Sequence, residues 1–90
     1  KKGNKFKTGL ENLKRKYPHH LEEVRGEGLM LGLKCISKNL DLIAECRNEK
    51  LLVVGGGDNT IRLLPPLNIK FYEINLALKK LESALSRLEN

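Results

Sequence analysis

Arg62 stands between Ile61 and Leu63 in the run Thr60-Ile61-Arg62-Leu63-Leu64. Successive side chains of an extended chain point to opposite faces, so its guanidinium should face away from those two apolar neighbours. A guanidinium stays charged at any relevant pH and can meet a carboxylate through two parallel hydrogen bonds. On composition alone, however, Arg62 is an ordinary exposed strand arginine. The other groups with chemical potential are weaker. His19 and His20 are adjacent and cannot easily share one metal, and no second His or Cys pair lies at ligand spacing, so they read as surface turn residues. Cys35 and Cys46 are too few and too far apart for a disulfide framework or a metal pair, which leaves two reduced thiols. The spacing Gly26, Gly28, Gly32 has one residue too many for a dinucleotide fingerprint and runs into a strand instead of opening a helix. Gly55-Gly56-Gly57 followed by Asp58 and Asn59 lacks the Lys and Ser or Thr of a phosphate loop and reads as a flexible turn.

The elements that must position these groups follow from periodicity. Phe6, Leu10 and Leu13 recur at helical spacing over Lys5 to Lys16, and the residue before Pro18 is pushed out of the helical region, so the helix stops at Tyr17. Val24 to Cys35 reads as one strand, with Leu29, Leu31, Leu33 and Cys35 on one face and Gly28, Met30, Gly32 and Lys34 on the other. Two glycines on one strand face suggest that a ligand or another backbone comes close there. Asn39 is suited to cap a helix from Leu40 to about Glu49. Leu51 to Val54 and Thr60 to Leu64 read as two strands joined by the glycine turn, and Pro65 and Pro66 end the second. Phe71, Ile74, Leu78, Leu81, Leu85 and Leu88 mark a long amphipathic terminal helix. The expected architecture is a single two-layer α/β sandwich, a small mainly antiparallel sheet covered on one face by helices. Its other face then awaits a partner.

Composition narrows the class. With 90 residues, 40% hydrophobic and 31% charged, the chain can pack one small core but hardly a deep walled active site. Lysine and arginine number 17 against 11 acids, and the surplus concentrates in Lys1, Lys2, Lys5, Lys7, Lys14, Arg15 and Lys16. Two Tyr, two Phe and no Trp leave few rings for bases to stack on, so a solvated helix face fits this run better than a nucleic-acid surface. No apolar run approaches a membrane span or the core of a signal peptide, and the expected setting is cytoplasmic, with no membrane partner.

The stretch Glu23-Val24-Arg25-Gly26-Glu27-Gly28-Leu29-Met30-Leu31-Gly32-Leu33 resembles the segment that opens the C-terminal domain of the class III, fold type I aminotransferases. Leu51-Leu52-Val53-Val54, a glycine turn, Thr60-Ile61-Arg62-Leu63-Leu64-Pro65-Pro66-Leu67 and a terminal amphipathic helix continue the resemblance in order and spacing across nearly all 90 residues. Within the family the combination looks most like its acetylornithine aminotransferases. The resemblance implies that residues 1–90 are the small domain of a homodimeric enzyme that moves the terminal amino group of N-acetylornithine to 2-oxoglutarate in arginine biosynthesis. It also implies that pyridoxal 5'-phosphate, its lysine and its phosphate-binding residues belong to a larger domain of the same protein. Lys34, Lys38, Lys50 and Lys70 match no cofactor-lysine motif, and the isolated domain should be inactive. One role carries over: Arg62 matches the arginine of the family's R-x-x-P-P-L motif, which implies a substrate-carboxylate binder serving the glutamate half-reaction. Arg25 and the following glycines are implied to be structural, a strand entry and a close interdomain approach. Lys70 departs from the pattern, because the family commonly places a capping Thr or Ser there. Lysine accepts no amide hydrogen bond, so the last helix should fray or begin nearer Asn68.

Other readings stay open. The amino donor of the parent enzyme can equally be ornithine, succinylornithine, 4-aminobutyrate or succinyldiaminopimelate. From a different class, a basic module docking nucleic acid through the first helix would betray itself by steep salt dependence. An oligomerising terminal helix would show concentration-dependent helicity.

Overall fold

The structure is a computed structural model that describes residues 2–66 and 68–89, so Lys1 and Leu67 of the motifs above lie outside the described residues. Helix α1 spans Lys2–Lys16 and buries Phe6, Leu10 and Leu13, the stripe its sequence spells out. Lys14, Arg15 and Lys16 fill the last turn, where positive charge complements the negative end of the helix dipole. The helix begins three residues before the expected Lys5, and the Lys2 and Lys5 ammonium groups lie 5.7 and 5.8 Å from the centre of the Phe71 ring. That contact occupies part of the basic run with a cation–π role.

The segment expected as one strand from Val24 to Cys35 is two. Strand β1 spans Leu21–Glu27 and strand β2 spans Met30–Cys35, paired antiparallel with Glu27 opposite Met30. The reversal falls on Gly28-Leu29, with Gly28 at φ +61, as a two-residue hairpin with glycine first requires. Gly28 therefore lies at a tip and not on a strand face. Helix α2, Asn39–Asn48, matches expectation in extent, but its cap differs. Lys38 occupies the capping position without a side-chain bond, and the Asn39 amide instead donates to Oδ1 of Asn59, at 2.8 Å.

Strand β3 spans Val53–Gly56, two residues later than the expected Leu51 to Val54, and β4 spans Thr60–Leu63. The glycines expected in a turn are drawn into the ladder because Gly55 pairs with Ile61 and Gly56 with Thr60. The loop between them is Gly57-Asp58-Asn59, with Asp58 at φ 61 and Asn59 at φ 57. Those are left-handed values that Asp and Asn tolerate better than other side chains.

Helix α3 runs Phe71–Glu89 and buries Ile74, Leu81, Ala84 and Leu85. Its start neither frays nor shifts to Asn68. The Lys70 amide donates to Oε1 of Glu73 at 2.8 Å, and the Lys70 carbonyl accepts from the Glu73 and Ile74 amides. Half of a capping box is enough to fix the boundary: the acid at the third helical position reaches back even though the cap residue offers nothing forward.

The four strands form one antiparallel sheet in the order β1-β2-β4-β3. Val24, Leu31, Leu33, Cys35, Val53, Ile61 and Leu63 join the buried faces of all three helices in a single core. Helix α1 lies along β1, α2 along β3 and β4, and α3 packs against both helices. One sheet face is thus covered and the other open, the two-layer α/β arrangement expected from sequence. No helix among the described residues is long and apolar enough to cross a membrane, and no cluster of three or more His, Cys, Asp or Glu among them is arranged to hold a metal.

Cys35 and Cys46 are free and buried in this core. Burial pushes the Cys35 thiol up to about 11 and Cys46 to about 12, the neighbouring Lys34 opposing the first shift only in part. The thiolate is the reactive form. Both thiols should therefore resist a thiol reagent at about pH 8 in the folded chain and react once it is unfolded, which a colorimetric thiol count with and without denaturant would register.

Candidate carboxylate-binding face

The open sheet face is built by register. Arg25 lies opposite Gly32, Gly32 opposite Arg62, and Arg62 opposite Val54, which sets four residues in one row across all four strands. A second row runs Glu23, Lys34, Thr60, Gly56. Arg62 is exposed while Ile61 and Leu63 are buried, so its guanidinium faces away from the core as the alternation predicts. Gly56 makes room for the neighbouring Thr60: a Cβ there would sit 2.7 Å from Oγ1 of Thr60, while Nε of Arg62, at 3.5 Å, would be in ordinary contact. Gly32 is the bare floor between the two arginines, and a Cβ on it would stand 3.0 Å from the Ile61 carbonyl oxygen. Above this floor lies an open cleft of about 630 Å³, bounded by Arg25 and Arg62 and by the apolar Leu29, Met30, Leu64 and Pro65.

Charge on this face is distributed unevenly. Nε of Arg25 lies 3.2 Å from Glu23 and its Nη2 3.1 Å from Asp58. Nζ of Lys34 donates to Oδ1 of Asp58 at 2.8 Å and to the Asp58 carbonyl at 3.0 Å. The Lys34 hydrogen bond, followed by that of Arg25, holds the Asp58 carboxyl below the usual carboxylate range. Among the described residues Arg62 makes no ion pair, so it is the cation of this face left to take an incoming anion. Arg25, expected as a strand entry, sits well inside β1 and is spoken for by two acids.

Asp58 carries a prediction. Its folded-state pKa is depressed, so the bond contributes stability above its unfolded pKa near 4, and that contribution is lost as pH falls through the lower folded value. Unfolding midpoints should therefore drop below about pH 4, and Asp58→Asn should flatten part of that slope. Glu45, lowered by its bond to Arg87, acts in the same window. Urea titrations at a series of pH values would measure both.

The histidines divide. His19 is exposed, as expected of a surface turn. His20 is partly buried, with Nδ1 3.2 Å from the Ser37 hydroxyl and Nε2 2.9 Å from the Glu89 carboxylate, so it ties the end of α3 to the β1 and β2 strand ends. Sequence reasoning missed two residues that shape the face. Asn59 reads in the sequence as part of a flexible turn, yet its Nδ2 donates to the Cys35 and Ser37 carbonyls at 2.8 and 2.7 Å. Asp58 was likewise a turn residue only, and nothing in the sequence reveals its partners 24 and 33 positions away.

The arrangement offers a planar cation beside a bare glycine and an apolar wall, which suits a carboxylate on a short aliphatic chain. Comparisons with known proteins place the chain in a family. The family description Aminotransferase class-III matches residues 1–85. The acetylornithine aminotransferase of Brucella melitensis is 49% identical over 83 residues, which is 92% of this chain and 21% of that protein. The acetylornithine aminotransferase of Prochlorococcus marinus is 47% identical, over 99% of this chain and 22% of its own length. The crystal structure of acetylornithine aminotransferase from Elizabethkingia anophelis superposes with a TM-score of 0.88 at 26% identity, covering 96% of this chain and 22% of that one. Lysine aminotransferase from M. tuberculosis superposes with a TM-score of 0.86 at 27% identity, over 96% of this chain and 20% of its own. The chain spans about a fifth of the length of the curated relatives it matches.

Proposed function

The chain belongs to the class-III aminotransferases, and on that premise we propose that residues 1–90 are the C-terminal small domain of an acetylornithine aminotransferase. The whole protein would be a cytoplasmic homodimer that transfers the terminal amino group of N-acetylornithine to 2-oxoglutarate in arginine biosynthesis, with pyridoxal 5'-phosphate as cofactor. The near one-half identity to two acetylornithine aminotransferases supports the choice of donor.

The described residues do not fit the cofactor itself. The cleft is lined by no lysine to take an aldehyde and no carboxylate to face a pyridine nitrogen, and Lys34 at its margin is held by Asp58. The cofactor belongs to the large domain of the same protein in this reading. What this chain supplies is a wall of the substrate pocket. Leu29, Met30, Leu64 and Pro65 exclude water along the aliphatic part of the substrate, and Arg62 fixes a carboxylate.

The observation that carries the reading is Arg62, projecting unpaired among the described residues from β4 onto the open face beside Gly32. Purified full-length protein should form glutamate from 2-oxoglutarate when given N-acetylornithine, and Arg62→Ala should impair the half-reaction that uses the dicarboxylate. Normal turnover by that variant would remove Arg62 from the site.

A further inference from the structure

Among the described residues the open face holds three cations, Arg25, Lys34 and Arg62, around Gly32, yet of these it presents only one unpaired. Strands in a sheet lie about 4.8 Å apart, so Arg25 and Arg62, two strands apart across Gly32, are roughly 10 Å apart at their backbones. Their long side chains bring the two guanidinium groups within reach of opposite ends of one small dicarboxylate. A free Arg25 would therefore compete with Arg62 for the ligand or bridge it across the cleft. The acid that prevents this is at the tip of the β3–β4 loop. Asp58 places Oδ2 3.1 Å from Arg25 and Oδ1 2.8 Å from Lys34, so a single side chain engages both surplus cations. The loop is held rigidly enough to aim it: Asp58 and Asn59 both take left-handed backbone values, and the Asn59 side chain ties the loop to the carbonyls of Cys35 and Ser37 and to the first amide of α2. Glu23 adds a second bond to Arg25 from its own strand.

We propose that Asp58 is a positioning residue for the substrate-carboxylate site, keeping Arg25 and Lys34 occupied so that a dicarboxylate engages this face through Arg62 alone. This rests on the reading of Arg62 given above. Asp58 touches no substrate. Its effect is on where a dicarboxylate settles, and without it the ligand gains an unproductive bridged pose.

The test is inhibition of the full-length protein by glutarate, an unreactive five-carbon dicarboxylate competing with 2-oxoglutarate, in the wild type and in Arg62→Ala, Asp58→Asn and Asp58→Asn/Arg25→Ala. Asparagine tolerates the left-handed backbone, so the first Asp58 variant removes charge while keeping the turn. One uncompensated charge at this range should tighten glutarate inhibition by about three- to tenfold at low salt, and high salt should erase the gain. Unproductive binding of 2-oxoglutarate should lower its KM and kcat together and leave kcat/KM unchanged, a split that loss of folding would not produce. The double variant restores the net charge of the face and should return glutarate inhibition to within about twofold of wild type, since the added unit charge is gone. Inhibition by glutarate that is the same in Asp58→Asn as in wild type, or tightening that survives removal of Arg25, overturns the proposal. If instead Arg62→Ala leaves glutarate inhibition unaltered, the carboxylate reading of Arg62 is what fails, whatever Asp58 does.

Discussion

Replacing Arg62 with alanine in the full-length protein should lower kcat/KM for 2-oxoglutarate by about 30-fold to a few thousand-fold, the equivalent of roughly 2 to 5 kcal/mol for a desolvated charge pair deprived of one partner. The size of the effect follows from what the substitution leaves behind. A substrate carboxylate pressed against the apolar wall of the cleft loses its water and gains nothing in return. Arg62→Lys keeps the charge but replaces a planar two-donor fork with a point charge, and should fall between wild type and alanine. On the proposed function the loss should be selective, with the half-reaction of N-acetylornithine affected less than that of the dicarboxylate. Rapid-mixing measurement of the two half-reactions separately would expose that asymmetry. Equal losses in both would point to a distorted face in place of a lost ligand contact.

The second large effect concerns stability. Asn59→Ala should destabilise the chain by about 2 to 4 kcal/mol, because three hydrogen bonds worth roughly 1 kcal/mol each disappear and alanine is strained at a positive φ. Those bonds join the β2–α2 connection to the β3–β4 loop, and one of them satisfies the first amide of α2 in place of a capping side chain. Asn59→Gly separates the two contributions: it relieves the backbone strain and keeps the hydrogen-bond loss, so it should sit closer to wild type than alanine does. Urea unfolding followed by circular dichroism would rank the three proteins. A shift for Asn59→Ala within about 0.5 kcal/mol, the range of an ordinary surface change, would mean that water replaces the side chain at no cost.

Much of this architecture was legible in the residues. The stripes Phe6-Leu10-Leu13 and Ile74-Leu81-Leu85 locate two helices because burial on one face is a local pattern repeated every three or four positions. The direction of Arg62 follows from its two apolar neighbours alone. The hairpin hidden in Val24 to Cys35 escaped because Leu29 continues the alternation of Leu31, Leu33 and Cys35 through a turn, masking the reversal. Its signal was nevertheless present, in the Gly28-Leu29 pair that suits a two-residue loop. Leu51 and Leu52 misplaced β3 for a related reason: strand propensity pointed to the leucines, whereas pairing with Ile61 and Thr60 recruits Gly55 and Gly56. At the start of α3, Lys70 alone predicts fraying, but Glu73, the half of the capping box that works, fixes the boundary. The site was legible only in part. Arg62 was named, but whether it is available depends on the bonds of Asp58 to Arg25 and Lys34, and loop residues choose such partners through tertiary geometry that no local pattern records.

The most direct test of the central claim is a donor comparison with the purified full-length protein and added pyridoxal 5'-phosphate. Glutamate formation from 2-oxoglutarate would be followed with N-acetylornithine, ornithine, succinylornithine, 4-aminobutyrate, succinyldiaminopimelate and lysine in turn. The account predicts turnover with the highest kcat/KM on N-acetylornithine. Preference for another of these donors would contradict the proposed substrate and keep the family chemistry, while no glutamate from any of them would contradict the transaminase reading of this protein as a whole.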